Sequence, residues 1–214
     1  VLSGSAEHWD GAYALGETTR SWYQQRARQS MVLFERSGVT ATDSVVDVGG
    51  GASVLVDDLL ALGFTDLTVL DISASALLVA RQRLGASASA VTWLTEDLLS
   101  WTPARTFDVW HDRAVLHFLT DSRDRNQYCS VLESAAGPGS LAVIAAFAPD
   151  GPERCSGLPV QRYGVESIRA LLGPQWSLVS DDREVHTTPS GAAQPFTWTA
   201  FRRVPVEAPS GRGA

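Results

Sequence analysis

Residues 44–53 read Ser-Val-Val-Asp-Val-Gly-Gly-Gly-Ala-Ser, a short apolar run that ends in three consecutive glycines. Val45, Val46 and Val48 are β-branched and suit a strand covered on both faces. Glycine lacks the Cβ that keeps backbone away from a bound molecule, so three in a row predict a sharp turn over a ligand. Apolar residues then recur at helical spacing across 55–62, with Asp57 and Asp58 expected on the wetter side, so the turn opens a helix.

The same alternation continues down the chain. Residues 67–71 predict a second strand ending in a carboxylate, 75–84 a helix, 90–97 a third strand ending in acid, and 107–112 a fourth strand. A loop or short helix is expected over 113–119 and a longer helix over 121–136, stopped by a turn at Gly137-Pro-Gly139. The apolar stretch 140–147 predicts a fifth strand at or near the sheet centre, and 149–159 an irregular loop rich in proline and glycine. A helix over 165–172 precedes two strands, 176–187 and 194–203, that form a hairpin.

Strand and helix in strict alternation imply right-handed crossovers. The predicted fold is α/β: a doubly wound, mostly parallel, seven-stranded Rossmann-like sheet with an antiparallel C-terminal hairpin. Residues 1–43, with a helical stretch at 24–36 and the aromatics Trp9, Tyr13, Trp22 and Tyr23, are expected to form an N-terminal lid. Residues 1–204 are expected to be one domain and 205–214 a flexible tail.

Composition removes several classes of function. A formal charge of -7 opposes unspecific binding to nucleic acid or anionic membrane, so no partner of either kind is expected. The chain contains no lysine, which excludes Schiff-base chemistry and the lysine-dependent phosphate loop. Cys129 and Cys155 have no metal-ligand spacing, and no metal is expected. No apolar run approaches the ~20 residues of a membrane span, and the expected compartment is a reducing cytoplasm. A monomer or homodimer is expected.

In an open parallel sheet, ligands sit at the carboxyl ends of the strands near the switch point, where the glycines, Asp71 and Asp97 all fall. Asp71, ~20 residues beyond the glycine turn, is placed to accept hydrogen bonds from ribose hydroxyls. A dinucleotide fingerprint counted from Gly49 would need glycine where Val54 stands. An adenosyl group without phosphates fits better, with Asp97 receiving the adenine amino group.

On these residues the chain resembles the class I S-adenosylmethionine-dependent methyltransferases. The matching motifs are Val45-Val-Asp-Val-Gly-Gly-Gly51, Leu70-Asp-Ile-Ser73 and Glu96-Asp97, followed by Gly137-Pro-Gly139 and the closing hairpin. The segments Trp9-Asp10-x-x-Tyr13 and Ser21-Trp-Tyr-Gln24 are similar to a branch of small bacterial methyltransferases, and the tryptophan-aspartate start also to some protein-lysine methyltransferases. The family's third glycine falls at Ser53. The resemblance implies S-adenosyl-L-methionine as cofactor, bound by Asp47, Gly49, Gly50, Gly51, Ser53, Asp71, Ile72, Ser73, Asp97, Leu98 and His111. It also implies that the N-terminal segment closes over the cofactor, where Trp22 or Tyr23 would face the sulfonium cation.

Displacement at a sulfonium has an excellent leaving group, so alignment and exclusion of water can supply most of the rate. Candidates for proton transfer at the end of the fourth strand are His111 and His117, with Asp112 to orient one of them. Arg113 is placed to hold an anionic substrate, and Cys155, Arg162 and Tyr163 are candidate substrate contacts in and after the 149–159 loop. The expected activity is methyl transfer to a small-molecule acceptor. The alternatives are a protein methyltransferase and a non-catalytic cofactor-binding module.

Overall fold

The structure, a computed structural model, describes residues 4–14 and 20–205. The N-terminal segment gives α1 (Ala6–Ala14) and α2 (Arg28–Arg36). The first half then alternates β1 (Val45–Val48), α3 (Leu55–Ala61), β2 (Leu67–Asp71), α4 (Ala74–Leu84), β3 (Val91–Thr95) and β4 (Phe107–Arg113). It continues with α5 (Ser122–Ala135), β5 (Ala136–Phe147), a two-residue hairpin of β6 (Arg154–Cys155) and β7 (Leu158–Pro159), and α6 (Val165–Leu172). The long strands β8 (Trp176–Thr187) and β9 (Ala193–Arg203) complete the order.

Seven strands form one sheet in the order β3-β2-β1-β4-β5-β9-β8. Strands β1 to β5 run parallel, and β9 runs antiparallel to both β5 and β8. Alternate side chains of each strand face opposite layers, so a strand buried on both sides must be apolar throughout. Val46 and Val48 join Trp110, Ile144, Tyr128 and Leu132 on one side, whereas Val45 joins Leu33, Phe34, Leu55 and Val143 on the other. Each fully buried valine or leucine contributes about 1.5–3 kcal/mol, which is why this strand tolerates one polar residue only where that residue reaches a ligand edge.

The expected fold class matches, and its few deviations have local causes. The helix expected over 24–36 starts at Arg28, because the Ala27 N–H is bound by the Asp58 carboxylate at 3.0 Å. Asp58 is accordingly buried rather than on the wet face, and it also pairs with Arg26 at 2.7 Å. Gly137-Pro-Gly139 is not a turn between helix and strand: the chain passes from α5 straight into β5, and the extra residues bulge between the Phe107–Ala136 and Val109–Leu141 pairs. Ser140 closes that bulge by accepting the Gly137 N–H and donating to the Phe107 carbonyl. The expected tail lies, beyond Pro205, outside the described residues. No helix among the described residues is long and apolar enough to cross a membrane.

Candidate functional site

β1 lies between β2 and β4, so the chain leaving β1 and the chain leaving β4 depart over a cleft at the carboxyl edge of the sheet. The glycine turn fills that position. Gly49 and Gly51 have φ of 63° and 47°, which side-chain-bearing residues rarely adopt. A Cβ on Gly49 would also run into Val115, and one on Gly50 would meet the Asp47 carboxylate and Val69.

Two carboxylates flank the turn. Asp71 ends β2 and is buried; its Oδ1 accepts the Ser73 N–H at 2.7 Å. Burial, reinforced by Asp47 and Asp10, lifts its pKa to about 7 against the hydrogen bonds from Ser73 and Gly51. Asp47 is also buried, and its Oδ1 lies 2.7 Å from His111 Nδ1. Because the carboxylate accepts, His111 donates from Nδ1, and its Nε2 lies 3.0 Å from Ser30 Oγ. Asp47 Oδ2 has no hydrogen-bond partner among the described residues.

The N-terminal segment is laid across this edge. Trp9 and Tyr13 lie four residues apart on α1 and so share a face. Trp9 packs edge-on against Trp22 and Phe118, at centroid distances of 6.0 and 5.0 Å, and Tyr13 against Trp22 at 6.1 Å. The Tyr13 hydroxyl reaches the Gly51 backbone beside Asp71, and burial with the nearby Asp71 charge raises its pKa to about 12. Asp10, between them, accepts from Ser73 Oγ at 2.6 Å and from the Ser75 N–H at 3.2 Å. The Trp-Asp-x-x-Tyr pattern thus has a physical account: two rings seal the cleft and the acid latches them to the N-terminus of α4.

Beneath this cover are two adjoining chambers that share Tyr13, Trp22, Gly49 and Arg113. One runs from Asp71, Ile72, Glu96 and Leu98 to Trp9, Phe118 and Cys155. The other surrounds Asp47, Gly50, Ser53, His111, Tyr23 and Arg20. Of the residues expected at the site, Trp22, Tyr23, Asp47, Gly49, Gly50, Ser53, Asp71, Ile72, Leu98, His111, Arg113 and Cys155 are therefore brought together. Gly51 and Ser73 support the edge from behind, Ser73 as the N-cap that accepts the Ala76 N–H at 3.0 Å.

Other expected residues lie elsewhere. Asp97 turns back to accept the Leu99 N–H at 3.0 Å, while its neighbours Glu96 and Leu98 line the cavity. Asp112 does not orient a histidine. It is fully buried and receives the Val115 and Leu116 N–H groups and the Tyr128 hydroxyl, while burial raises its pKa to about 6. His117 is sealed between Phe118 and Phe147 with ring centroids 4.4 and 4.5 Å away, and burial, helped by the Arg113 charge, lowers its pKa to about 3. It sits in the core as a neutral ring and lines neither chamber. Arg162 pairs with Glu153 at 3.3 Å on the surface, and Tyr163 is packed into the core beneath α6. Both lie outside the chambers.

Trp9 and Tyr13, expected only as parts of the lid, and Glu96, expected only as the neighbour of Asp97, line the chambers, while Arg20, Ser30, Val115 and Phe118 belong to the site without having been expected. The four-residue spacing of Trp9 and Tyr13 was the available signal for two of them. Nothing local marks Ser30, which meets His111 only through tertiary packing.

The edge suits an adenosyl-amino-acid cofactor. Glycines leave backbone exposed at the turn, Asp71 is an acid placed for ribose hydroxyls, and the buried Asp47 Oδ2 is an acceptor awaiting a donor such as an ammonium. Comparison with known proteins agrees. A family model described as a methyltransferase domain matches residues 46–142, from β1 into β5. EEF1A lysine methyltransferase 2 of Danio rerio is 23% identical over 189 residues, covering 81% of this chain and 80% of that protein. Among solved structures, one from work on conversion of a disulfide bond into a thioacetal group during echinomycin biosynthesis superposes with a TM-score of 0.72, at 23% identity over 93% of both chains. The N-methyltransferase NodS of Bradyrhizobium japonicum WM9, bound to S-adenosyl-L-homocysteine, superposes with a TM-score of 0.66, at 20% identity over 84% of this chain and 87% of its own. The glycine cradle between β1 and β4 and the acid ending β2 thus lie within a matched methyltransferase domain, in a chain that has the fold of the class I S-adenosylmethionine-dependent methyltransferases.

Proposed function

We propose that the chain methylates a small-molecule acceptor by direct displacement. The observation that carries this reading is the cover of Trp9, Tyr13 and Trp22 latched by Asp10, which encloses the cavity beside Arg113 and Cys155. An enclosed apolar cavity matches a compact acceptor, whereas an extended peptide needs an open groove. When bound, S-adenosylmethionine supplies an electrophilic methyl group on a sulfonium. In this reading Asp71 and Glu96 hold the adenosine end, and Asp47, steadied by His111 and Ser30, accepts from the ammonium.

The chain's residues then act by orientation and exclusion of water. Trp22 is placed to offer a π-face to the positive charge, an interaction of about 0.5–2 kcal/mol that also keeps water out, whereas the Tyr13 ring already carries the Arg20 guanidinium at 3.9 Å. His111 serves through Asp47 rather than as a base on the acceptor, because both of its ring nitrogens are already engaged. Methylation of a protein lysine is the second reading, favoured by the name of the Danio rerio relative. Incubation of the protein with methyl-labelled S-adenosylmethionine and fractionated cell extract separates the two. Label is expected in the low-mass fraction, and label confined to protein would overturn the proposal.

A further inference from the structure

Arg113, the last residue of β4, stands where the two chambers meet. Its Nη1 donates to the Trp22 carbonyl at 3.2 Å, and its guanidinium carbon lies 5.1 Å from the Phe196 ring centroid. Its Nε and Nη2 are shielded from water and have no hydrogen-bond partner among the described residues. Glu184, the nearest acid of opposing sign on β8, is committed elsewhere, accepting from Gln24 at 3.3 Å and from Trp198 Nε1 at 2.8 Å. Asp47 Oδ1 is committed to His111, and neither Asp47 nor Glu184 hydrogen-bonds Arg113 although both charges act on it through space. A buried guanidinium edge that lacks an acceptor suits an anion supplied from outside the chain.

The free atoms specify its shape. Nε and Nη2 form the side-on edge of the guanidinium, two parallel N–H donors whose spacing matches the two oxygens of a carboxylate. The cavity that Arg113 lines is walled by Trp9, Trp22, Val115 and Phe118, which suits a flat apolar body. We infer that the methyl acceptor is a small carboxylate with a flat apolar body, its carboxylate held by the Nε–Nη2 edge of Arg113. The inference rests on the small-molecule reading above and narrows it. A lysine side chain would bring a like charge to the same point, which disfavours it as acceptor.

Matched probes of one shape and different charge test the assignment. With S-adenosylhomocysteine saturating the protein, calorimetric titration compares 2-naphthoate, 2-naphthamide and 2-naphthylmethylamine. Naphthoate is expected to bind at least about tenfold tighter than the amide, and the amine weakest of the three. Arg113→Gln should erase the preference while S-adenosylhomocysteine affinity stays within about twofold. Arg113→Lys, which keeps the charge but not the fork, should retain only part of it and serves if the glutamine variant fails to fold. Equal affinities for naphthoate and amide in the unmodified protein would overturn the inference. So would competition between naphthoate and S-adenosylhomocysteine, or a tenfold loss of S-adenosylhomocysteine affinity in Arg113→Gln, since Arg113 would then serve the cofactor's carboxylate. Failure of the unmodified protein to bind S-adenosylhomocysteine would instead count against the cofactor site, a result read before any probe is added.

Discussion

The two ends of the cavity are built by different means. At the β1–β2 end, backbone turns and short-range hydrogen bonds do the work: Gly49 to Gly51, Asp71 held by the Ser73 N–H, and Ser73 capping α4 all lie within a few residues of their strand. At the β4 end the walls come from four distant segments, Trp9, Trp22, Arg113 and Cys155, and among the described residues the Nε and Nη2 of Arg113 have no acceptor. The first end is built locally and suits a cofactor common to many proteins. In the proposed reading the second end holds the acceptor and so carries specificity.

If that division is right, damage at the first end should abolish cofactor binding, and damage at the second should spare it. Gly49→Val combines a branched side chain at positive φ with a collision at Val115, so it should lower stability by about 3 kcal/mol and remove S-adenosylhomocysteine binding. A thermal melt and calorimetric titration read both, and a variant that still binds normally would break the comparison. Asp71→Ala should weaken S-adenosylhomocysteine by about 1–3 kcal/mol with a smaller effect on folding.

Asp71 also sets a pH dependence of known sign. Burial keeps it protonated up to about pH 7, whereas in the unfolded chain it ionises near pH 3.9. Between those values the folded state binds more protons, so this group costs stability as pH rises from about 4 to about 7. Ribose hydroxyls donate best to the ionised carboxylate, so S-adenosylhomocysteine affinity should climb over the same interval. Asp71→Asn should flatten both profiles; titrations at three pH values that show no slope in the unmodified protein would refute the assignment.

Trp9→Ala sharpens the comparison from the other side. It removes a wall shared by Trp22 and Phe118 and should lower kcat/KM about tenfold or more, while the cofactor constant changes only a few-fold. A cofactor constant that fell as far as kcat/KM would show that α1 belongs to the donor end. The smallest effect is expected at Arg162→Ala, whose partner Glu153 is exposed, with turnover and melting temperature unchanged within error.

The donor end was readable because its residues are neighbours in sequence. The apolar run, the three glycines and the acid after the second strand pointed to the cofactor class, and the mostly parallel sheet followed from alternation with helices. Two kinds of feature resisted. His111, Asp112 and His117 look equivalent in the sequence as polar residues at a strand end, yet one relays to Asp47, one stitches a turn and one fills the core. Gly137-Pro-Gly139 carries the signal of a turn but forms a bulge, because pairing with β4 extends past it.

By itself, the sequence determined the fold class, the cofactor edge and the absence of lysine chemistry, since these depend on periodicity, on composition and on residues a few positions apart. Tertiary structure alone decided which polar groups remain available to a ligand. Ser30 and Asp47 engage both nitrogens of His111, Tyr128 and a turn engage Asp112, and Gln24 and Trp198 engage Glu184, so that the Nε and Nη2 of Arg113 are left without an acceptor among the described residues. Availability is a property of packing: it depends on which donors and acceptors long-range folding has already satisfied, and no local pattern records that.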